Sequence, residues 1–199
     1  MTDVAADALV IGAGPAGSAS AALLAEAGWR VVAIDRATFP REKPCSEYMN
    51  PEAVRMLDHL GVTTSLCAAG AAALSGSSVT SAGGSRLVGR FPEGQGLSIA
   101  RRELDQALVG AARARGVKVL EGTSLERLEM EGDHVTGAVI RGRDGDLRRV
   151  RAQLTVGADG LRSRVARALG GQHLGWPARV AFVAHVAGVP AMPIGPKCT

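Results

Sequence analysis

Gly12, Gly14 and Gly17 stand at G-x-G-x-x-G spacing, and an acid, Asp35, follows about 20 residues later. These residue types suit one task, bringing a backbone close to a diphosphate and holding the sugar beside it. Gly12 lets the chain turn tightly, Gly14 puts no side chain in the path of a pyrophosphate, and Gly17 permits a helix to pack closely on a strand. Pro15 and Ala16 fall in the first helical turn, where unpaired N–H groups and the positive end of the helix dipole favour phosphate. The Asp35 carboxylate is expected to accept hydrogen bonds from ribose hydroxyls, and Arg36 beside it is counted with the same site. The spacing does not by itself separate FAD from NAD.

Such residues work only on a particular scaffold, and the neighbouring sequence supplies it. Ala8–Ile11 is an apolar run too short for a helix, so it reads as a buried strand. An Ala- and Leu-rich run from about Ala16 to Ala27 reads as a helix that Gly28 stops. Val31–Ile34 is a second buried strand ending on Asp35. Strand, glycine turn, helix, strand and acid is the order of a dinucleotide-binding βαβ unit, and the predicted fold class is α/β, Rossmann-like.

Composition narrows the function classes. In 199 residues, 46% are hydrophobic, which makes the chain globular rather than disordered. Aromatics reach only 3%, few for stacking nucleic-acid bases, and the net charge of +4 is scattered among acids, so no nucleic-acid partner is expected. Cys45, Cys67 and Cys198 form no C-x-x-C pair, and His59, His134, His173 and His185 lie far apart. That speaks against a zinc site and a disulfide framework and fits a cytoplasmic protein. The N-terminus has no signal-peptide pattern, and no apolar run is long enough for a membrane span.

Further along, Phe39–Pro44 is Pro- and charge-rich and reads as an extended loop at the C-terminal edge of the sheet. Asn50 caps a helix with Pro51 at its first position. Thr63–Gly96 is rich in Gly, Ala and Ser, with β-like pieces at Ser77–Ser81 and Arg86–Phe91 around a Gly83-Gly84 turn. A helix runs from about Arg101 to Arg115 and leads into a parallel strand at Val117–Leu120. Ser124–Val150 alternates as a β-meander. Leu154–Val156 is a strand ending in Gly157-Ala158-Asp159-Gly160, followed by a helix whose Arg162, Arg164 and Arg167 read as a solvated face. Trp176-Pro177 opens a new segment, and Arg179–Val186 alternates like a strand.

The opening βαβ, the loop FPREKPCSEYMNPEAVRMLDHLGV, the pattern around Ile99-Ala100-Arg101 and the Gly157-Ala158-Asp159-Gly160 fingerprint together resemble the FAD-dependent oxidoreductases of the p-hydroxybenzoate hydroxylase type. The resemblance is nearest to the branch of geranylgeranyl-reductase-like enzymes and flavin-dependent halogenases. It implies FAD as cofactor, NAD(P)H as electron donor and a small-molecule substrate. It places Cys45 and Ser46 beside the flavin, Arg101 near the phosphates, and Gly157, Asp159 and Gly160 near the pyrophosphate. Cys45-Ser46-Glu47 matches neither the Gly-Glu-Ser of halogenases nor the Cys-Gly of reductases, so hydroxylation, reduction and halogenation stay open. No catalytic acid or base is read from the sequence.

The same resemblance implies an FAD-binding domain over 1–62 and 97–174 and portions of a substrate domain, with the start of its β-sheet, over 63–96 and 175–199. Enzymes of this kind run well beyond this length, and a further Gly-Asp fingerprint is not found in place. The expectation is therefore a truncated member. A non-catalytic dinucleotide-binding fragment is the alternative, and an NAD-dependent dehydrogenase the third reading.

Overall fold

The computed structural model describes residues 2–171 and 180–186. In chain order the elements are β1 (Thr2–Ala5), β2 (Ala8–Ile11), α1 (Pro15–Glu26), β3 (Val31–Asp35), β4 (Tyr48–Met49), α2 (Pro51–His59), α3 (Thr63–Ala68), β5 (Ala72–Leu74), β6 (Gly76–Thr80), β7 (Arg86–Arg90), β8 (Gly96–Ser98), α4 (Arg101–Ala114), β9 (Lys118–Glu121), β10 (Ser124–Glu131), β11 (His134–Arg141), β12 (Leu147–Arg151), β13 (Leu154–Gly157) and α5 (Arg164–Ala168). They fall into two compact units. The first ends at Arg41 and resumes at Asp105; the second holds Glu42–Leu104 and the segment from Val180.

The first unit is built on a four-stranded parallel sheet in the order β13-β2-β3-β9. Every residue of β2 and β3 is buried, as expected of parallel strands covered on both faces. One face meets the meander. Leu9, Ile11, Val32 and Ile34 pack with Leu125, Ala138, Ile140 and Val150 of a second sheet, ordered β1-β12-β11-β10. Ala13, Phe39 and Val109 of α4 form a further cluster with Val119. The chain leaves β2 for β3 and β9 on one side and returns to β13 on the other. Strand order therefore reverses between β13 and β2, and the crevice beyond the C-terminal ends of those strands is where ligands of open α/β sheets bind.

The expected βαβ, the α4–β9 pair, the meander and the last parallel strand all form where the sequence places them. The meander also recruits β1, which runs parallel to β12 with Val4 opposite Val150. No sequence signal marked that strand, because its pairing is with residues far along the chain.

In the second unit, β4, β8 and β5 form an antiparallel sheet, and β6 and β7 form the expected hairpin. Asn50 caps α2, its Oδ1 accepting from the Ala53 N–H at 2.8 Å. Leu57 of α2, Leu60 just after it and Leu66 of α3 are buried. Helix α3 lies in the stretch read only as Gly/Ala/Ser-rich. Residues 180–186 form no strand. Val180 and Phe182 are largely exposed, and with no ladder partner among the described residues an alternating segment gains nothing from extending as a strand. Trp176, Pro177, His173 and Met192–Thr199 lie outside the described residues.

Candidate functional site

The two glycine fingerprints meet in the first unit. Gly12 leaves β2 with φ +101°, and a Cβ added to it would lie 2.4 Å from the Ala158 carbonyl oxygen. A Cβ on Gly17 would lie 1.7 Å from the Gly12 carbonyl oxygen and 3.1 Å from Ala158 Cβ. The first turn of α1, the end of β2 and the end of β13 thus touch backbone to backbone, at a closeness only glycine permits. A further close approach comes at the end of β13, where a Cβ on Gly157 would meet Val165 Cγ1 at 2.8 Å. Gly160 takes φ +83° just beyond.

Helix α1 starts on Gly14, which has no side chain to cap it, and its first turn holds no acid. Its N–H groups therefore suit an outside anion, favoured by the helix dipole. Pro15 and Ala16 form that turn. Ser18 is buried and donates from Oγ to the Ala13 carbonyl at 2.9 Å, tying the helix to the loop.

Asp159 organises the other lip. Its Oδ1 accepts from Ser163 Oγ at 2.6 Å, and its Oδ2 accepts from the Arg164 N–H at 2.6 Å. Ser163 Oγ in turn accepts from the Ala166 N–H at 2.9 Å. The acid thus spends its oxygens on capping α5. Arg162, Arg164 and Arg167 are exposed.

Asp35, expected to accept from ribose hydroxyls, also holds two backbone donors. Asp35 is 6% exposed. Its Oδ2 accepts from the Ala13 N–H at 2.9 Å and its Oδ1 from the Ala37 N–H at 2.8 Å. The carboxylate therefore fastens the glycine loop to the chain leaving β3. Arg36, next to it, is exposed.

Arg41 was passed over as a site residue and is central. Its Nε donates to Asp105 Oδ2 at 3.0 Å, and its Nη1 lies 3.6 Å from Asp35 Oδ1. Its Nη2 is 3.1 Å from where a Gly14 Cβ would stand. The guanidinium also lies 5.0 Å from the Phe39 ring centre. Asp105 is fully buried on α4 and holds this arginine against the glycine loop. An arginine fork and a helix N-terminus at one place form a donor set that matches a pyrophosphate. The signal was present in Phe39-Pro40-Arg41 and Leu104-Asp105, yet nothing local told that residues 64 apart would pair.

The second unit gathers Cys45, Ser46, Glu47 and Arg101. Partial burial pushes the Cys45 thiol up. The Glu47 backbone N–H, the Arg101 guanidinium and the Ser46 hydroxyl overcome this, so it rests below the ordinary thiol value. Glu47 has φ +57°, and its Oε1 accepts from the Arg101 N–H at 3.3 Å. Its Oε2 lies 3.0 Å from His185 Nε2. The hydrogen bond from His185 holds Glu47 below the usual carboxylate value, and the same bond raises His185. His185 is thus drawn to this cluster. Among the described residues no cluster of His, Cys, Asp and Glu could hold a metal ion, and no helix is long and apolar enough to cross a membrane.

A parallel sheet with a glycine cradle at its switch point, an uncapped helix start and a half-buried arginine defines a dinucleotide-binding α/β protein. A family model described as an FAD binding domain matches residues 5–191, and the chain belongs to that family. It is 37% identical over 172 residues to a menaquinone reductase of Mycobacterium tuberculosis, covering 84% of this chain and 41% of that protein. It is 35% identical over 166 residues to a digeranylgeranylglycerophospholipid reductase of Methanosarcina acetivorans, covering 81% of this chain and 39% of the relative. Among solved structures, a myxobacterial chondrochloren halogenase superposes with a TM-score of 0.77 at 28% identity, over 83% of this chain and 39% of that one. The chain thus spans about two fifths of the length of these relatives.

Proposed function

We propose that this chain holds FAD for a flavin-dependent oxidoreductase of the reductase or monooxygenase type, acting on a small organic substrate. One observation carries the reading: both glycine fingerprints and Arg41 converge at the switch point of the parallel sheet. Gly12, Gly14, Pro15, Ala16 and Gly17 would hold the pyrophosphate on one side, and Gly157 and Gly160 would line the other, where Asp159 fixes the start of α5, with Arg41 neutralising the pyrophosphate charge. Asp35 would shape the loop, with Arg36 at its outer end. Cys45 and Ser46 would lie by the flavin and Arg101 near the phosphates, as the resemblance implies. Bound FAD supplies the redox chemistry, and the protein contributes binding, orientation and electrostatics.

NAD(P)H is the proposed electron donor. The identity to two reductases favours reduction over halogenation. The substrate would then resemble those in the relatives' names, a menaquinone or a geranylgeranyl lipid. The division into an FAD-binding part and portions of a substrate domain belongs to the same proposal.

An absorbance spectrum of the purified chain, with and without added FAD, tests the reading. A flavin band that stays with the protein through gel filtration is expected. A colourless protein that FAD does not reconstitute would overturn it. A protein that keeps FAD but does not oxidise NAD(P)H in the presence of a quinone would instead be a binding module without turnover.

A further inference from the structure

A cavity of about 550 Å³ lies at the C-terminal end of β9, and nothing above assigns it a role. Leu120, Glu121, Thr123, Arg143 and Arg148 line it. Its place in the sheet is informative. Along β2-β3-β9, the glycine loop follows β2, Asp35 ends β3 and Glu121 ends β9. Neighbouring strands are about 4.8 Å apart, so a dinucleotide with its pyrophosphate at β2 that runs on past β3 delivers its base here. Two bonds tie the cavity floor to the end of β3: the Thr123 N–H donates to the Asp35 carbonyl at 2.8 Å, and the Gly122 N–H to the Ala37 carbonyl at 3.1 Å.

Arg143, on the turn between β11 and β12, forms one wall. Gly122 has φ +64°, and a Cβ there would stand 3.2 Å from Arg143 Nε and 3.7 Å from Arg143 Cζ. The arginine therefore lies against Gly122, and its Nη2 donates to Thr38 Oγ1. The other charged groups at the cavity are satisfied. Arg148 pairs with Asp144 at 3.1 Å, and Glu121 accepts from Arg113 at 2.7 Å and from the Phe39 N–H at 3.1 Å. No carboxylate among the described residues pairs with Arg143. A planar guanidinium, weakly hydrated and held by one hydroxyl, is a surface on which an aromatic ring stacks.

We propose that Arg143 is a positioning residue for the adenine of the dinucleotide, its guanidinium serving as the platform against which the base stacks. The inference rests on the FAD reading above. Titration calorimetry of the whole chain with FAD, with ADP and with inorganic pyrophosphate separates the two. Arg143→Ala is expected to weaken FAD and ADP about tenfold or more, the loss typical of removing a stacking partner. Arg143→Lys, which keeps the charge and loses the plane, should restore little. Pyrophosphate should bind both variants as it binds the parent. Thr38→Val, which frees the guanidinium, should weaken ADP by a smaller factor, and it decides the matter if Arg143→Ala does not fold. Unchanged ADP affinity in the variants, with FAD still bound by the parent, would overturn this inference alone. Equal loss of ADP and pyrophosphate would overturn it too, because Arg143 would then act only as a charge. A parent chain that binds neither FAD nor ADP would sink both readings.

Discussion

Replacing Asp35 with alanine separates a structural acid from a sugar-binding one. The carboxylate accepts two backbone hydrogen bonds, a buried one from Ala13 and a partly buried one from Ala37. Each bond to a charged acceptor contributes about 1.5–3 kcal/mol. Losing both costs about 3–6 kcal/mol, a large part of the 5–15 kcal/mol typical of a folded domain. The measurement is a urea titration of the ligand-free protein followed by circular dichroism. With a urea dependence of about 2 kcal/mol per molar, the midpoint should fall by about 1.5–3 M. Asp35→Asn keeps one neutral acceptor and should fall by less. If Asp35→Ala unfolds within about 0.3 M of the parent, a shift worth under about 1 kcal/mol, while FAD binding is lost, the carboxylate serves the ribose and this account of the glycine loop is wrong.

Gly17→Ala should be worse than a typical helix substitution. Its Cβ would overlap the Gly12 carbonyl at 1.7 Å, so α1 must move off β2. Soluble expression or FAD retention should be lost, and a variant that retains FAD normally would refute the close packing. Arg41→Ala removes the ion-pair partner of the fully buried Asp105 and should cost about 3–5 kcal/mol. Asp105→Asn in the same background should recover part of that loss, as a chemical-denaturation cycle would show. Asp7 is held down to about 2 by hydrogen bonds from the Arg30 side chain and backbone. Its folded value lies below the ordinary 3.8, so its contribution is present above that pH and fades as pH falls toward 2. An NMR titration should place its midpoint near 2, and Asp7→Asn should flatten acid unfolding in that window; a midpoint near 3.8 would refute the pairing.

Local pattern alone carried much of the reading. Gly12, Gly14 and Gly17 between two short apolar runs marked β2, α1 and β3, because a tight turn, a close helix and a buried strand each demand particular residue types at fixed spacing. Gly157–Gly160 and the alternation over Ser124–Val150 were legible for the same reason: period and turn chemistry act over a few residues. Helix α3 was not, since its short Ala-, Ser- and Thr-containing run has no strong preference of its own. It is held by Leu66 packing in the core of the second unit.

What the sequence could not assign was the use of each charged group. Asp35 stands in the position of a ribose acceptor, yet it is turned inward onto Ala13 and Ala37. Arg41 lies in a loop without regular structure, and Asp105 looks like an ordinary polar residue of an amphipathic helix. Only the tertiary fold brings them together beside Gly14. Residue type and spacing determined that a phosphate-bearing dinucleotide has a cradle here, because backbone sterics are local. Which side chains face it was decided by packing, because a buried charge takes the partner that the fold puts within reach, however distant along the chain.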